Sequence, residues 1–445
     1  MSELPEGWAI TSLGEIAVWG SGGTPSRSEP SFYGGSIPWI KSGELNSRYV
    51  KSTEESITEA AVSGSSAKIF PAGSVAIAMY GATIGKTAIL GVDAATNQAC
   101  AVGIPVEGLT DTDFLYRLLQ NEKDAFIEKG KGGAQPNISQ AVIKAHEISL
   151  PPLAEQTRIA AKLDELLAQV DTLKARIDGI PALLKRFRQS VLAAAVSGRL
   201  TEEWRWENQS GAWDNKTLAE LSNRLHQGIN TSADKVEYSE AGTPILQAKH
   251  ITSGDILVGD ARNVANDVFE KYREKYCPSV GSILFTNIGT IGRSVVVDKC
   301  TELLIAWNIF LIEPNAQVIP RYLQMNLELL RTTGYYESLY RGGATQFVNK
   351  KQLSEIKIPL PTIDEQVEVV RRVEQLFAFA EQLETKINAA KTRIDRLTQS
   401  ILAKAFRGEL VPQDPNDEPA SALLERIKTQ RAAAPKAKRG RKASA

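Results

Sequence analysis

Apolar residues recur at alternating intervals of four and three positions in two long stretches of this 445-residue chain. This spacing places one apolar stripe along an α-helix and is typical of a coiled coil. The other positions of both stretches are rich in Glu, Asp, Lys, Arg and Gln. The residues that we predict to form a helix–helix seam are Ile159, Leu163, Leu166, Val170, Leu173, Ile177, Leu184 and Phe187 in the first stretch and Val369, Val373, Leu376, Leu383, Ile387, Ile394 and Leu397 in the second.

Both stretches open with nearly the same motif, "LPPLAEQ" from Leu150 and "LPTIDEQ" from Leu360. The Glu-Gln pair places negative charge where a helix N-terminus favours it. Gly198 and Gly408 predict the points at which the two helices end. A helix over 153–197 would be about 67 Å long at ~1.5 Å per residue. Pro181 lies inside the first stretch only, and there we expect a kink or a break.

The similarity extends upstream of the helices, which indicates that the chain contains two copies of one unit. "GSVAIAMYGATIGK" resembles "GSILFTNIGTIGR", and "IPWIKSGEL" can be aligned with "TPILQAKHI". These segments contain short β-rich runs punctuated by Gly, Pro and Ser, with helices predicted near Thr112–Glu128 and Pro320–Leu330. The predicted fold class is α+β. Two similar mixed α/β domains are joined by two long helices that pair as an antiparallel coiled coil, giving an internal pseudo-two-fold repeat.

The domain boundaries follow from the repeat. The segments that we predict are a first globular domain at 1–149, a first helical spacer at 150–204, a second globular domain at 205–359, a second helical spacer at 360–411 and a tail at 412–445. The tail appears separate in the sequence, and its end, "KAKRGRK", is basic and is expected to be disordered.

Composition and charge restrict the chemistry. Lys+Arg and Asp+Glu both number 52, so the formal net charge is zero, which argues against strong nucleic-acid binding by the chain alone. Three scattered cysteines and three histidines make a metal site improbable, and we predict none. The N-terminus has neither a basic nor an apolar segment of a signal peptide, and no apolar run is long enough to cross a membrane. We expect a cytoplasmic protein.

A search for catalytic motifs finds no convincing centre, and we predict no catalytic residues. "YGATIGKT" (Tyr80–Thr87) resembles a phosphate-binding loop, but its two glycines are one residue too close together. A tight turn beside a sheet explains it better. Two alternatives remain: a single-chain enzyme with a nucleotide site at this segment, and a structural coiled-coil protein without a role on DNA.

Polar, Gly-punctuated loops stand at matching places in both copies but differ in their side chains. Gln, Asn, Lys and Arg are residue types that read base edges, and Ser, Thr and Lys suit phosphates. Ordinary turn chemistry is an equally good explanation for any single residue. The candidate DNA-contacting residues are Lys41, Ser42, Asn46, Tyr80, Thr83, Lys86, Lys131, Gln135 and Asn137 in the first copy and Gln247, Lys249, His250, Asn287, Thr290, Arg293, Arg341 and Gln346 in the second.

The sequence resembles the specificity subunit of type I restriction–modification systems. The resemblance is carried by "LPPLAEQTRIAAKLDELLAQVDTLKARI" and its downstream copy, by "LKRFRQSVLAAAVSGRLTEEWR" and "LTQSILAKAFRGEL", and by "YGGSIPWIKSGEL" near the N-terminus. It extends to about Leu410. Thr362 departs from the pattern, since it stands where the first copy has a second proline.

The resemblance implies a non-catalytic subunit whose two target-recognition domains each read one half of a bipartite DNA sequence. It implies that the coiled coil fixes the gap between the halves and docks two adenine-N6 methyltransferase subunits, in a prokaryotic cytoplasm. Two ATP-dependent translocase/endonuclease subunits would complete the complex. No cofactor is expected on this chain, whereas the partners would use S-adenosylmethionine, ATP and Mg²⁺.

Overall fold

A computed structural model describes residues 4–130, 137–252, 254–340 and 346–433. The chain divides into two compact units. The first comprises Met1–Ala175 and Ala390–Ala445, and the second comprises Arg176–Ala389. Each unit therefore contains one globular domain and a part of each long helix.

The first globular domain is built on two main sheets and a terminal strand pair. Its larger sheet has the order β2-β10-β7-β8-β4, its smaller sheet the order β5-β3-β9-β6, and β1 pairs with β11. The elements are β1 (Ala9–Ser12), α1 (Leu13–Ile16), β2 (Ala17–Ser21), β3 (Tyr33–Ile40), β4 (Tyr49–Val50), β5 (Ser56–Ile57), α2 (Glu59–Gly64), β6 (Ile69–Phe70), β7 (Val75–Ala78), β8 (Thr87–Leu90), β9 (Ala94–Thr96), β10 (Cys100–Pro105), α3 (Thr112–Asn121), α4 (Lys123–Lys129), α5 (Gln140–Lys144) and β11 (Glu147–Leu150).

The rest of the chain begins with the first long helix and repeats this plan. The elements are α6 (Leu153–Val196), α7 (Glu202–Glu207), β12 (Asp214–Thr217), β13 (Ser222–Gln227), β14 (Thr243–Leu246), β15 (Arg262–Val264), α8 (Asn266–Tyr276), β16 (Ile283–Thr286), β17 (Ser294–Val296), β18 (Leu304–Ile305), β19 (Ile309–Pro314), α9 (Pro320–Thr332), α10 (Lys350–Ser354), β20 (Lys357–Leu360), α11 (Ile363–Phe406) and α12 (Ala420–Ala433).

The topology of the second domain confirms the duplication and the predicted fold class. Its sheets have the orders β13-β19-β16-β17 and β15-β14-β18, and β12 pairs with β20. Strands β3 and β9 run parallel, as do β14 and β18, whereas the four strands common to the larger sheets are antiparallel. Strands β4 and β6 belong to the first domain only. The predicted helix at 112–128 is divided at Glu122 into α3 and α4, and the predicted helix at 320–330 is α9.

The two long helices begin and end close to the predicted residues. Helix α6 covers 44 residues and is continuous through Pro181, so the expected break is absent. Gly198 and Gly408 follow the helix ends with φ values of 76° and 75°, a backbone conformation that favours glycine.

Ion pairs within each unit show that α6 and α11 run antiparallel. In the first unit, Lys174 Nζ lies 2.6 Å from Asp395 Oδ1. In the second unit, Arg188 donates to both carboxylate oxygens of Glu384 at 2.7 and 3.1 Å. The residue numbers rise along one helix as they fall along the other, which confirms the predicted orientation.

The predicted seam is largely buried, with two exceptions. Leu173 and Leu397 are 45% and 46% exposed, so they do not belong to the tight part of the seam. Both lie within eight residues of the points where the long helices pass from one unit into the other. The buried seam residues are Ile159, Leu163, Val170, Leu184, Val369, Val373 and Ile394, and the half-buried ones are Leu166, Ile177, Phe187, Leu376, Leu383 and Ile387.

The repeated Gln of the helix-opening motif ties each long helix to the domain that precedes it. Gln156 is fully buried, donates to the carbonyl of Leu109 at 2.9 Å and accepts from the backbone N–H of Asp111 at 2.9 Å. Gln366 makes the equivalent bonds, at 2.8 to 3.0 Å, to the segment before α9. The loop before each domain helix is thereby fixed to the start of a long helix.

The repeated Glu makes a second contact of the same kind. Glu155 and Glu365 are both fully buried, and each accepts at 3.0 Å from the indole N–H of a tryptophan, Trp8 or Trp213. Glu365 also pairs with Arg205 at 2.8 Å. We call each Glu-Gln pair with these partners a helix clamp. The clamps are a correction to the sequence interpretation, which assigned the pair only to the helix N-terminal charge.

The tail is part of the first unit, contrary to its separate appearance in the sequence. Gln413 donates to Glu155 Oε1 at 3.3 Å, and Asp417 pairs with Arg158 at 2.6 Å. Helix α12 buries Leu423, Leu424 and Ile427. The basic stretch at 436–442 lies outside the described residues.

We predict that Leu163→Ala lowers the free energy of unfolding by about 2–5 kcal/mol, because it removes a fully buried side chain from the seam. The matched control is Leu173→Ala, which truncates a half-exposed leucine of the same helix and should cost less than about 1 kcal/mol. Urea unfolding of the full chain, followed by circular dichroism, measures both. Equal midpoints for the two variants would contradict the assigned seam.

We predict that Glu365→Gln destabilises the chain by about 3 kcal/mol, since it leaves Arg205 without its buried counter-ion. Glu155→Gln should cost about 1 kcal/mol, the scale of a hydrogen bond, because its Trp8 and Gln413 partners are neutral. Burial raises the pKa of Glu155, opposed by its bonds to Gln413 and Trp8.

The pH dependence of the Glu155→Gln effect follows from that shift. A raised folded-state pKa means that Glu155 favours folding most below the ordinary value of 4.5, and that this contribution is lost as the pH rises through the folded-state pKa. The stability difference between the native chain and Glu155→Gln should therefore shrink as the pH rises from 4.5 towards neutrality. Urea midpoints measured across this range test it, and a difference that grows with pH would contradict it.

Candidate functional site

Three loops come together at one edge of the first domain. We call residues 41–46, after β3, loop A; residues 79–86, between β7 and β8, loop B; and residues 137–139, before α5, segment C. Lys86 Nζ of loop B donates to Asn46 Oδ1 of loop A at 2.8 Å. Tyr80 forms an antiparallel bridge with Asn137, and Ile138 N–H donates to the carbonyl of Met79 at 2.9 Å. The structure thus brings together candidates from three separate parts of the sequence.

The second domain has the same three loops at 247–251, 287–293 and 346–349, and we give them the same names. Arg293 Nη1 of loop B donates to the carbonyl of Ile251 in loop A at 3.4 Å. Segment C contacts loop B through the bridge between Ile288 and Phe347. Because the arrangement recurs while the side chains differ, the two domains present one scaffold with two different polar surfaces.

Loop B is a tight turn whose backbone donors are used internally. Ile84 and Lys86 donate their N–H groups to carbonyls within the loop, and Gly85 donates to Ala78 at 3.0 Å. Gly85 and its counterpart Gly292 have φ values of 75° and 85°. Phosphate-binding loops need such N–H groups free and pointing at the ligand. This arrangement favours the turn over the nucleotide-site alternative.

Two of the predicted candidates are buried. His250 is 2% exposed and accepts the backbone N–H of Gln247 through Nδ1, at 2.9 Å, which closes the turn of loop A. Burial lowers the pKa of His250. Asn287 is 1% exposed, and its backbone carbonyl accepts from the N–H of Val348 in segment C at 3.0 Å. Both side chains are buried and support the loops in this structure, and their contact with DNA stays a prediction.

Two candidate lysines are engaged by carboxylates. Lys41 pairs with Glu54 at 2.8 Å and Glu55 at 3.1 Å, and these bonds raise its pKa. Lys249 pairs with Asp260 at 2.5 Å and lowers the pKa of that carboxyl. A lysine in such a pair contributes less positive charge to a nearby phosphate. Lys86 and Arg293, by contrast, make their recorded bonds to neutral groups.

The remaining candidates lie on the surface or outside the described part of the chain. Thr83 is half-buried and donates to the carbonyl of Tyr80 at 2.9 Å, whereas Thr290 is exposed. The side chains with some solvent exposure are Ser42, Asn46, Tyr80, Asn137, Gln247 and Gln346. Lys131, Gln135 and Arg341 lie outside the described residues. The role of each exposed candidate on DNA stays a prediction.

Sequence reasoning missed one contact that fixes loop A. Asp164 lies beside the apolar seam of the first long helix, where the sequence alone suggests a solvated carboxylate, but it forms ion pairs with Arg48 at 2.7 Å and with Arg117 at 2.7 Å. These arginines belong to the first domain. The sequence contains little that indicates these ion pairs, because a carboxylate beside a heptad seam is normally solvated.

Among the described residues, no group of three or more His, Cys, Asp or Glu side chains is arranged to hold a metal ion. Within the same residues, no helix combines the length and apolar character needed to cross a membrane.

Comparison with known proteins identifies the family. The family model described as "Type I restriction modification DNA specificity domain" matches twice, over residues 5–182 and 211–391. The EcoKI type I restriction enzyme specificity subunit of Escherichia coli strain K12 is 32% identical, over 99% of both chains. The EcoBI specificity subunit of Escherichia coli is 36% identical, over 74% of both chains. The chain therefore belongs to the type I restriction–modification DNA specificity family.

Solved structures agree on the fold. The HsdS subunit from Thermoanaerobacter tengcongensis superposes with a TM-score of 0.62 at 19% identity, over 92% of this chain and 98% of that one. A chain from a structure of a type I R-M system, described in terms of complex assembly and conformational transition, gives a TM-score of 0.63 at 17% identity, over 92% of this chain and all of that one.

Proposed function

We propose that this chain is the DNA-specificity subunit of a type I restriction–modification complex, in which each globular domain reads one half of a bipartite target. The observation that carries the proposal is the recurrence of loops A and B and segment C in both domains with different side chains. Base readout requires varied side chains on a constant scaffold, because each base edge presents its own pattern of donors and acceptors.

The chemistry of the loops supports a role at base edges and phosphates. Asn46, Asn137 and Gln346 have exposed amide side chains, which pair well with adenine. Lys86 and Arg293 occupy the same place in loop B of the two domains and offer positive charge to phosphates. A net charge of zero nevertheless means that this chain alone provides little electrostatic attraction to DNA.

The partners follow from that shortage of charge and from the family. We propose that two adenine-N6 methyltransferase subunits dock on the long helices, close around the DNA and supply most of the affinity. They would bring S-adenosylmethionine, and two translocase/endonuclease subunits would bring ATP and Mg²⁺. The chain itself acts as a non-catalytic targeting subunit, in the cytoplasm of a prokaryote.

The paired helices suit the role of a spacer. Each is a single 44-residue helix, and their seam of buried apolar residues holds them side by side. A helix pair resists bending better than a flexible linker does. We propose that the length of this pair sets the number of unspecified base pairs between the two half-sites.

The experiment that tests the function is co-expression of this chain with the methyltransferase subunit encoded beside it, followed by mapping of adenine methylation across the host genome by long-read sequencing. We expect methylation at one bipartite motif with a fixed gap. The matched control expresses the methyltransferase without this chain and should show no such motif. A stable complex without any motif would contradict the proposal and favour the structural coiled-coil alternative.

We predict that lengthening both helices by one heptad lengthens the gap. Because Lys174 faces Asp395, the insertions belong after Leu173 in α6 and after Asp395 in α11. Seven residues add about 10 Å, the length of about three base pairs at 3.4 Å each. The methylated motif should keep both half-sites and gain about three unspecified positions.

The control for this prediction is insertion of the same heptad in α6 alone. It shifts one apolar stripe against the other and should reduce the yield of the complex. An unchanged gap in the double insertion, with normal methylation, would refute the spacer role.

A further inference from the structure

Arg48 connects loop A of the first domain to the first long helix. It follows loop A by two residues and is about one quarter exposed. Its Nη1 lies 2.7 Å from Asp164 on α6, and its Nη2 lies 2.8 Å from Asp113 on α3. The guanidinium of Arg48 thus joins three elements: the segment just after loop A, helix α3 of the first domain and the spacer helix α6. We call these three side chains the Arg48 bridge.

The bridge is reinforced by its surroundings. Arg117 donates to the other carboxylate oxygen of Asp164, Oδ1, through Nε at 3.2 Å and through Nη2 at 2.7 Å. The two carboxylates and their bonds raise the pKa of Arg48 against the cost of its burial. A guanidinium is well suited to this position because its planar fork can serve two carboxylates at once, which an ammonium cannot do with the same geometry.

The backbone at Arg48 is held as firmly as its side chain. Ile89 donates its N–H to the carbonyl of Arg48 at 2.7 Å, and strand β4, which begins at the next residue, runs parallel to β8. Lys86 of loop B also holds loop A, because it donates to the side chain of Asn46. The C-terminal end of loop A is therefore held by two anchors, at Asn46 and at Arg48.

Among the described residues of the second domain, this bridge is absent. At the offset of 206 that aligns β3 with β14, Gly254 stands in place of Arg48. Within the described part of that domain, the larger sheet ends at β17, without a counterpart of β4. Arg321 of α9 reaches Glu374 of α11 directly, at 3.4 Å, with both side chains about half exposed. A cleft of about 790 Å³, lined among others by Gly254, Asp255, Arg321 and Glu374, lies here.

We propose that Arg48 is a positioning residue for DNA recognition, which fixes loop A of the first domain to the spacer helix and thereby sets the selectivity for one half-site. The inference rests on the proposed function. Base readout requires a side chain to be placed within a fraction of an ångström, so a loop released from its anchor loses discrimination before the domain loses its fold. Since the second domain has no such bridge, only one half of the target depends on it.

The first test compares Arg48→Gln with Glu374→Gln, the matched control at the weaker contact of the second domain. Each variant is purified as the complex with the methyltransferase, and methylation rates are measured on duplexes that carry the motif or a single base-pair change in either half. We expect Arg48→Gln to reduce discrimination in one half by about tenfold and to leave the other half unchanged. Glu374→Gln should leave discrimination unchanged in the half of the motif that Arg48→Gln affects.

Arg48→Lys separates geometry from charge. Lysine keeps the positive charge but cannot bond to both carboxylates with the geometry of a guanidinium. Compared with Arg48→Gln, Arg48→Lys should therefore recover more of the thermal stability of the complex than of its discrimination between base pairs. An equal loss of discrimination in both halves, or unchanged discrimination in Arg48→Gln, would overturn the proposal.

A second measurement does not depend on DNA. Hydrogen exchange of the full chain should be faster at amides 42–50 in Arg48→Gln and unchanged within α3 and α6. Unchanged exchange at 42–50 would refute the positioning role even if the native complex showed no bipartite motif. The proposed function would be refuted by a different result, namely the absence of a bipartite methylation motif with the native chain.

Discussion

The structure depends on the mutual burial of two apolar stripes. Either long helix alone would expose its stripe to water, at a cost of about 25 cal/mol for each Å² of apolar surface. Within each unit, part of α6 and part of α11 lie antiparallel and cover most of each stripe, although Leu173 and Leu397 remain about half exposed. Each unit therefore needs residues from both halves of the chain. The duplication provides the two matching stripes that this arrangement requires.

The helix clamps explain why the openings of the two helices have diverged so little. Gln156 and Gln366 satisfy the same three kinds of backbone bond in the two domains, and a buried amide that lost them would leave unpaired groups on both sides. The Glu partners show more freedom, because Arg205 serves Glu365 whereas a tail residue, Gln413, serves Glu155. The geometry of the clamp is fixed, but the residue that completes it can change.

The sequence was sufficient to predict what is periodic or repeated. The heptads predicted helix α6 to within one residue of its end, and the repeat predicted two domains of one topology. It could not predict contacts between residues far apart in the chain. Asp164 looks like any solvated helix carboxylate until Arg48, 116 positions away, is placed beside it.

The burial of particular polar residues could not be predicted from the sequence either. His250 and Asn287 carry the residue types that read base edges, but both close turns beneath the surface. Pro181 was expected to interrupt α6, yet the helix continues through it. Whether a polar side chain is buried, or a helix continues through a proline, depends on tertiary contacts that a local sequence pattern does not contain.

The balanced charge of the chain is accompanied by internal ion pairs between opposite charges. Lysines and arginines at the loops and on the helices are opposed by carboxylates, as in the pairs of Lys41 with Glu55 and of Lys249 with Asp260. Such pairs order the loops but contribute little long-range attraction to a polyanion. A subunit built in this way is suited to discriminate between sequences rather than to bind DNA tightly. Discrimination needs rigid loops, and affinity can be supplied by a partner that closes around the duplex.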